Sequence, residues 1–179
     1  MRFYIFLGLI LIVCMVCSKK PTEPEKIEDP ESEPENKPFA IFFSPDSAVI
    51  SPGDSINLSL EIANLQDSIF AMSFKLDYDA VDEYHILTII TYGSSDFDQG
   101  DFFGNEPLIF LEKGYVFLSL IQGQPLVSGS GTLGEFTFHA RSPGLTLVSL
   151  SELCFYNASG DEISVETPDL SSSFITIEP

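Results

Sequence analysis

Tryptophan is absent from the 179 residues, histidine occurs twice, cysteine three times, and eight basic residues stand against 27 acidic ones. Each shortage narrows the chemistry. A formal charge of -19 leaves no basic footprint for a phosphate backbone, which excludes nucleic acid as a partner. Anionic lipid headgroups are disfavoured for the same reason. Cys14 and Cys17 lie in the amino-terminal run, so Cys154 stands alone in the remainder and no disulfide framework is available. In the segment SELCFY, Cys154 reads as a small buried hydrophobe. His85 and His139 lack metal-ligand spacing, so neither a metal nor any other cofactor is expected. Serine is common, yet no Gly-x-Ser-x-Gly elbow occurs, and no catalytic residues are assigned. Missing tryptophan also removes the commonest platform for stacking sugars, although Tyr and Phe can substitute. Finally, no window sustains a helical period; Ala80–Tyr84 is at most a single turn.

What remains is phenylalanine and alternation. Sixteen Phe and 44% apolar residues supply a sizeable core. Phe70, Met72, Phe74, Leu76 and Tyr78 alternate with Ala71, Ser73, Lys75 and Asp77, the period of a strand with one buried face. Ile56, Leu58, Leu60 and Ile62 repeat the pattern. Further strands are expected over residues 39–43, 48–50, 86–92, 108–112, 115–121, 134–140, 145–150 and 174–178. Turn residues separate them: Ser51-Pro52-Gly53-Asp54 suits a tight reversal, and Glu112-Lys113-Gly114 a hairpin. The fold class is therefore all-β, a β-sandwich of about nine strands with jelly-roll topology.

Three segments follow from composition. Arg2 precedes 14 apolar residues, Phe3–Val16, a run too short for a bilayer span and suited to a signal peptide. The run gives way to charge at Cys17, which resembles the lipidated cysteine of a bacterial lipoprotein signal; Cys14, an ordinary signal peptide and an uncleaved anchor remain the alternatives. Residues 18–38, rich in Pro and Glu, form a disordered, extended spacer. Residues 39–179 make up the domain, with 20 acids against Lys75, Lys113 and Arg141, a formal charge of -17. An exported protein, tethered to the membrane only through its amino end, is expected.

Two acidic clusters carry the remaining polar chemistry. Asp96-Phe97-Asp98-Gln99-Gly100-Asp101 lacks the order of an EF-hand loop and reads as a solvated loop before it reads as a calcium site. Asp77, Asp79 and Asp82 read as a capped turn. With so many acids, carboxylate pairs of the glycosidase kind arise by chance, and none is singled out.

Several motifs, taken in order, resemble the cohesin family, the sandwich modules of cellulosome scaffolds. FAMSFKLDYDA resembles its F-x-L-x-Y-D-P strand and turn, with Ala80 in place of the proline and an apparent insertion around Asp82-Glu83-Tyr84. GTLGEFTF resembles its G-x-L-x-x-I-x-F strand through Gly131, Leu133, Phe136 and Phe138. LVSLSELCFYNASGDEI resembles the closing strand and its turn, here Asn157–Gly160. The resemblance implies a non-catalytic module that binds a dockerin-type partner through one flat sheet face. By resemblance, Ala71, Ser73 and Lys75 belong to that face. Alternation within Tyr115–Gln122 points Val116, Leu118 and Leu120 inward and leaves Tyr115, Phe117, Ser119 and Ile121 outward. An outward Tyr, Phe and Ile row on an acidic protein implies a covered surface, either by a partner or by a loop of the chain itself. The alternatives are direct polysaccharide binding by the sandwich, and a structural envelope subunit or adhesin.

Overall fold

The computed structural model describes residues 37–78, 87–89, 97–104, 106–112 and 114–179, and of residues 87–89 only the backbone. The turn at Asp79–Tyr84, His85, Asp96, the spacer and both amino-terminal cysteines lie outside the described residues.

Period-two alternation becomes thirteen strands in chain order. They are β1 (Ala40–Ser44), β2 (Ser47–Ile50), β3 (Ser55–Ile69), β4 (Ala71–Tyr78), β5 (Leu87–Ile89), β6 (Phe97–Gln99) and β7 (Leu108–Glu112). After them come β8 (Tyr115–Ser119), β9 (Val127–Ala140), β10 (Gly144–Tyr156), β11 (Glu162–Ile163), β12 (Asp169–Ser171) and β13 (Ser173–Ile177). No helix occurs among the described residues. Every strand expected from alternation has a counterpart; β6, β11 and β12 are additions of two or three residues, too short for a period to show.

The strands form two sheets. One has six strands in the order β12-β1-β3-β9-β5, with β6 also on β9; the other has seven in the order β2-β13-β10-β4-β8-β7, with β11 on β10. Chain neighbours repeatedly change sheet, as at β1 to β2, β3 to β4, β9 to β10 and β12 to β13. That crossing between layers makes a sandwich out of what would otherwise be a meander. Asn36–Pro179 forms one compact unit.

The core is where the inner rows meet. Phe74 of the seven-stranded sheet meets Phe136 of the six-stranded one edge-on, with ring centroids 6.5 Å apart. Phe136 also packs on Phe97 at 4.8 Å and on Phe138 at 6.4 Å. Leu58, Leu60, Ile62, Met72, Leu76, Val148 and Ile175 fill the layer around them.

Two bulges reset the alternation. In β3 the register with β9 shifts between Ile62 and Leu65, where Asn64 adopts a left-handed φ of 61°, a conformation Asn tolerates. Leu65 is thereby returned to the core three residues after Ile62. In β10 the register with β4 shifts between Ser151 and Cys154, with Glu152 at φ 49°. Phe155 then faces inward and Cys154, set against Ser73, faces outward half-buried. The expected buried hydrophobe at position 154 is therefore corrected: the bulge moved its parity.

Glu112 and Tyr115 are paired, so the β7–β8 hairpin closes through Lys113-Gly114, and Gly114 sits at φ 86°. The Asn157–Gly160 turn forms as expected, with Asn157 Oδ1 accepting from the amides of Ser159 (2.9 Å) and Asp161 (3.0 Å).

The acidic loop expected around Asp98 is in part a strand. Residues 97–99 pair with Phe136–Gly134, and Asp101 Oδ1 accepts the Thr132 amide at 2.8 Å. At Gly100 the backbones approach so closely that a Cβ would lie 1.9 Å from the Thr132 carbonyl oxygen. Gly100→Ala is therefore expected to lower stability by about 1–3 kcal/mol, read as a fall in the urea midpoint; an unchanged midpoint would contradict this packing.

Candidate docking face

The outer faces of the two sheets differ in chemistry. On the six-stranded sheet the outward rows of β3 and β9 are polar and paired to each other. Asn57 Nδ2 donates to Glu135 Oε1 (2.8 Å), Thr137 Oγ1 to Asn57 Oδ1 (3.0 Å) and Thr132 Oγ1 to Glu61 Oε2 (2.9 Å). Ser55 Oγ and His139 Nδ1 stand 2.5 Å apart at the exposed end of this row, a cross-strand pair in register. A hollow of about 440 Å³ beside it is lined by Ser59, Asp98, Gln99, Asp101, Thr132 and Glu135. It contains no aromatic ring.

The outer face of the seven-stranded sheet is apolar and aromatic. β7 and β8 bring Leu108, Phe110 and Glu112 opposite Ser119, Phe117 and Tyr115. Phe110 is 59% exposed, Tyr115 45% and Phe117 36%. Phe117 leans on Tyr156 of β10 with centroids 5.9 Å apart, and Tyr156 shares a 3.1 Å hydrogen bond with Ser73. A second exposed group, Val49, Leu145 and Phe174, lies further along the same face on β2, β10 and β13. Two large apolar groups on one face of an acidic domain exceed what scattered surface residues produce.

Between the groups runs a polar band. Lys75 Nζ is 3.3 Å from Asp77 Oδ1 and 3.8 Å from Glu152 Oε1. Tyr115 donates its phenolic hydrogen to Glu152 Oε2 at 2.9 Å, and Ser151 Oγ donates to Asp77 Oδ2. The hydrogen bond and charge of Asp77 raise the Lys75 pKa above its ordinary value. The bond to Glu152 raises that of Tyr115, because the phenol donates and the phenolate cannot. Both groups keep their proton better in the folded chain, so their contributions are complete below their ordinary pKa values and fade as pH rises through the raised ones. In Glu152→Gln the last-titrating phenol in alkaline absorbance spectra is expected to move to lower pH; an unmoved curve would show that the bond does not hold in solution.

The sequence-expected site residues fall into two sets. Ser73, Lys75, Tyr115 and Phe117 come together on the exposed face. Ala71 (2% exposed) and Ser119 (5%) point to the same side but are buried, small side chains in one cross-strand row between Leu108 and Tyr156. Ile121 is exposed but lies past the end of β8, in a turn where its amide donates to Gln124 Oε1. Val116, Leu118 and Leu120 face inward as expected. Leu108, Phe110, Tyr156 and Glu152 were missed. For the first two a signal existed, since LIFLE alternates as YVFLS does; Glu152 depends on the bulge.

No family model matches the sequence, and no curated protein matches it. Solved structures do match. One is a non-cellulosomal cohesin from the hyperthermophilic archaeon Archaeoglobus fulgidus, at 19% identity and TM-score 0.55 over 80% of this chain and 93% of that one. A cohesin module from a family 33 glycoside hydrolase of Clostridium perfringens matches at 12% identity and TM-score 0.57, over 78% and 96%. The third ScaB cohesin of R. flavefaciens, solved in complex with a group 1 dockerin, matches at 15% identity and TM-score 0.55, over 79% and 96%. The domain is a cohesin-like β-sandwich.

Proposed function

We propose that this chain is a non-catalytic binding module whose seven-stranded sheet docks a dockerin-type protein module through Phe110, Tyr115, Phe117 and Ser73. The observation that carries the reading is the segregation of exposed aromatic side chains onto one outer face, while the other outer face is closed by its own hydrogen bonds. The cohesin-like fold supports it, since one of the similar structures is a complex with a dockerin.

The amino-terminal residues give the module a place. Cys17 is the proposed lipid acceptor, and the Pro/Glu segment 18–38 holds the domain off the envelope, so that a docked polysaccharide-acting protein is kept at the cell surface. Cys17→Ala is expected to move the protein from the membrane fraction to the soluble fraction, whereas Cys14→Ala leaves it membrane-bound; the reverse pattern would assign the lipid to Cys14.

The test of docking is capture. Residues 18–179, immobilised and exposed with calcium to proteins secreted by the source organism, are expected to retain dockerin-bearing proteins and release them to a chelator, because dockerins fold around calcium. An eluate without a dockerin-bearing protein would overturn the reading. Isotherms on cellulose are expected to stay flat; saturable binding would favour the glycan alternative.

A further inference from the structure

Resting on the docking reading, we infer that Glu152 selects the partner by charge: the docked module presents a Lys or Arg to the carboxylates of Glu152 and Asp77. The two acids share one described cation, Lys75, at 3.8 and 3.3 Å, so the group carries a net negative charge. It borders the exposed rings of Tyr115 and Phe117, and Tyr115 binds Glu152 directly. A partner that covers those rings also removes water from this group. An excess carboxylate that loses its water without gaining a cation opposes association, whereas one that meets a cation favours it.

The backbone fixes where that charge stands. Glu152 is one of two non-glycine described residues with a left-handed φ, and it occupies the break in register between β10 and β4. A flat strand would carry position 152 to the inner side, after outward Ser151. The bulge instead keeps an acid at the surface, with its carboxylate held by a hydroxyl and an ammonium from β8 and β4. The surrounding domain, with 20 acids and three bases, adds a long-range field of the same sign that steers basic surfaces inward and repels acidic ones.

The probes are calcium-loaded dockerin modules of two kinds, with Lys or Arg beside the apolar docking residues in one and Asp or Glu there in the other. Against residues 18–179, the basic kind is expected to bind and the acidic kind to bind weakly, and the association rate for the basic kind should fall as salt rises. Glu152→Lys is expected to weaken the basic kind by about 30-fold or more, and a Lys→Glu exchange in the module should restore binding to that variant. Glu152→Gln, which keeps an oxygen for the Tyr115 hydroxyl, should fall between the two; unfolding midpoints of both variants establish that they are folded. If modules bind with no regard to their charge, or Glu152→Lys changes affinity less than twofold, the charge selection is wrong and docking stands. If no dockerin module binds the unaltered protein, both fall.

Discussion

Replacing Phe136 by alanine is expected to remove about 3–5 kcal/mol of stability, a large share of the roughly 5–15 kcal/mol that holds an ordinary domain together. The ring is buried and touches three others: Phe74 across the layer at 6.5 Å, Phe97 at 4.8 Å and Phe138 at 6.4 Å. Its removal opens a cavity at the one point where both sheets and the short strand β6 converge. The surroundings cannot collapse into it, because Gly100 and Gly134 already hold β6 against β9 with no room to move closer. Equilibrium urea unfolding should show a lower midpoint with an unchanged slope. A loss below about 1 kcal/mol would mean that the ring cluster does not join the layers.

The largest functional effect is expected from Tyr115→Ala combined with Phe117→Ala. Aromatic anchors at the centre of an interface commonly contribute 2 kcal/mol or more each, so the pair should weaken dockerin capture by about 100-fold or more. Both side chains are exposed, and Phe117 touches only the outer ring of Tyr156 among the described ring contacts, so the fold should survive their loss. Phe174→Ala serves as a control: it lies on the same face, across the polar band and two strands away from β4. Titration calorimetry with a calcium-loaded dockerin that binds the unaltered protein checks both variants. Unchanged binding by the double variant would place docking elsewhere, and a loss confined to Phe174→Ala would move it to the β2–β13 end.

Much of this was open to reading because a pleated strand encodes its inner side at every second residue. Phe74, Leu76, Leu58 and Leu60 lie in the core on the strength of local spacing alone. Turns were legible for a similarly local reason, since Gly114 and Asn157 supply backbone conformations or side-chain bonds that their neighbours cannot. The acidic stretch near Asp98 was misread because the strand it contains has three residues, and its partner, β9, lies over thirty positions away. Cys154 was misread because a single residue at a bulge reverses every side chain beyond it.

The sequence by itself determined an acidic all-β chain, its strands and their inner rows, and an outward Tyr-x-Phe pair that asks for a cover. Only the tertiary structure decided that Phe110 stands beside Phe117, that Ala71 and Ser119 sink between larger neighbours, and that Glu152 comes over Tyr115 and Lys75. Alternation states which side of a sheet a residue faces. What it meets there is set by register between strands distant in the chain, and register is a property of the whole sandwich.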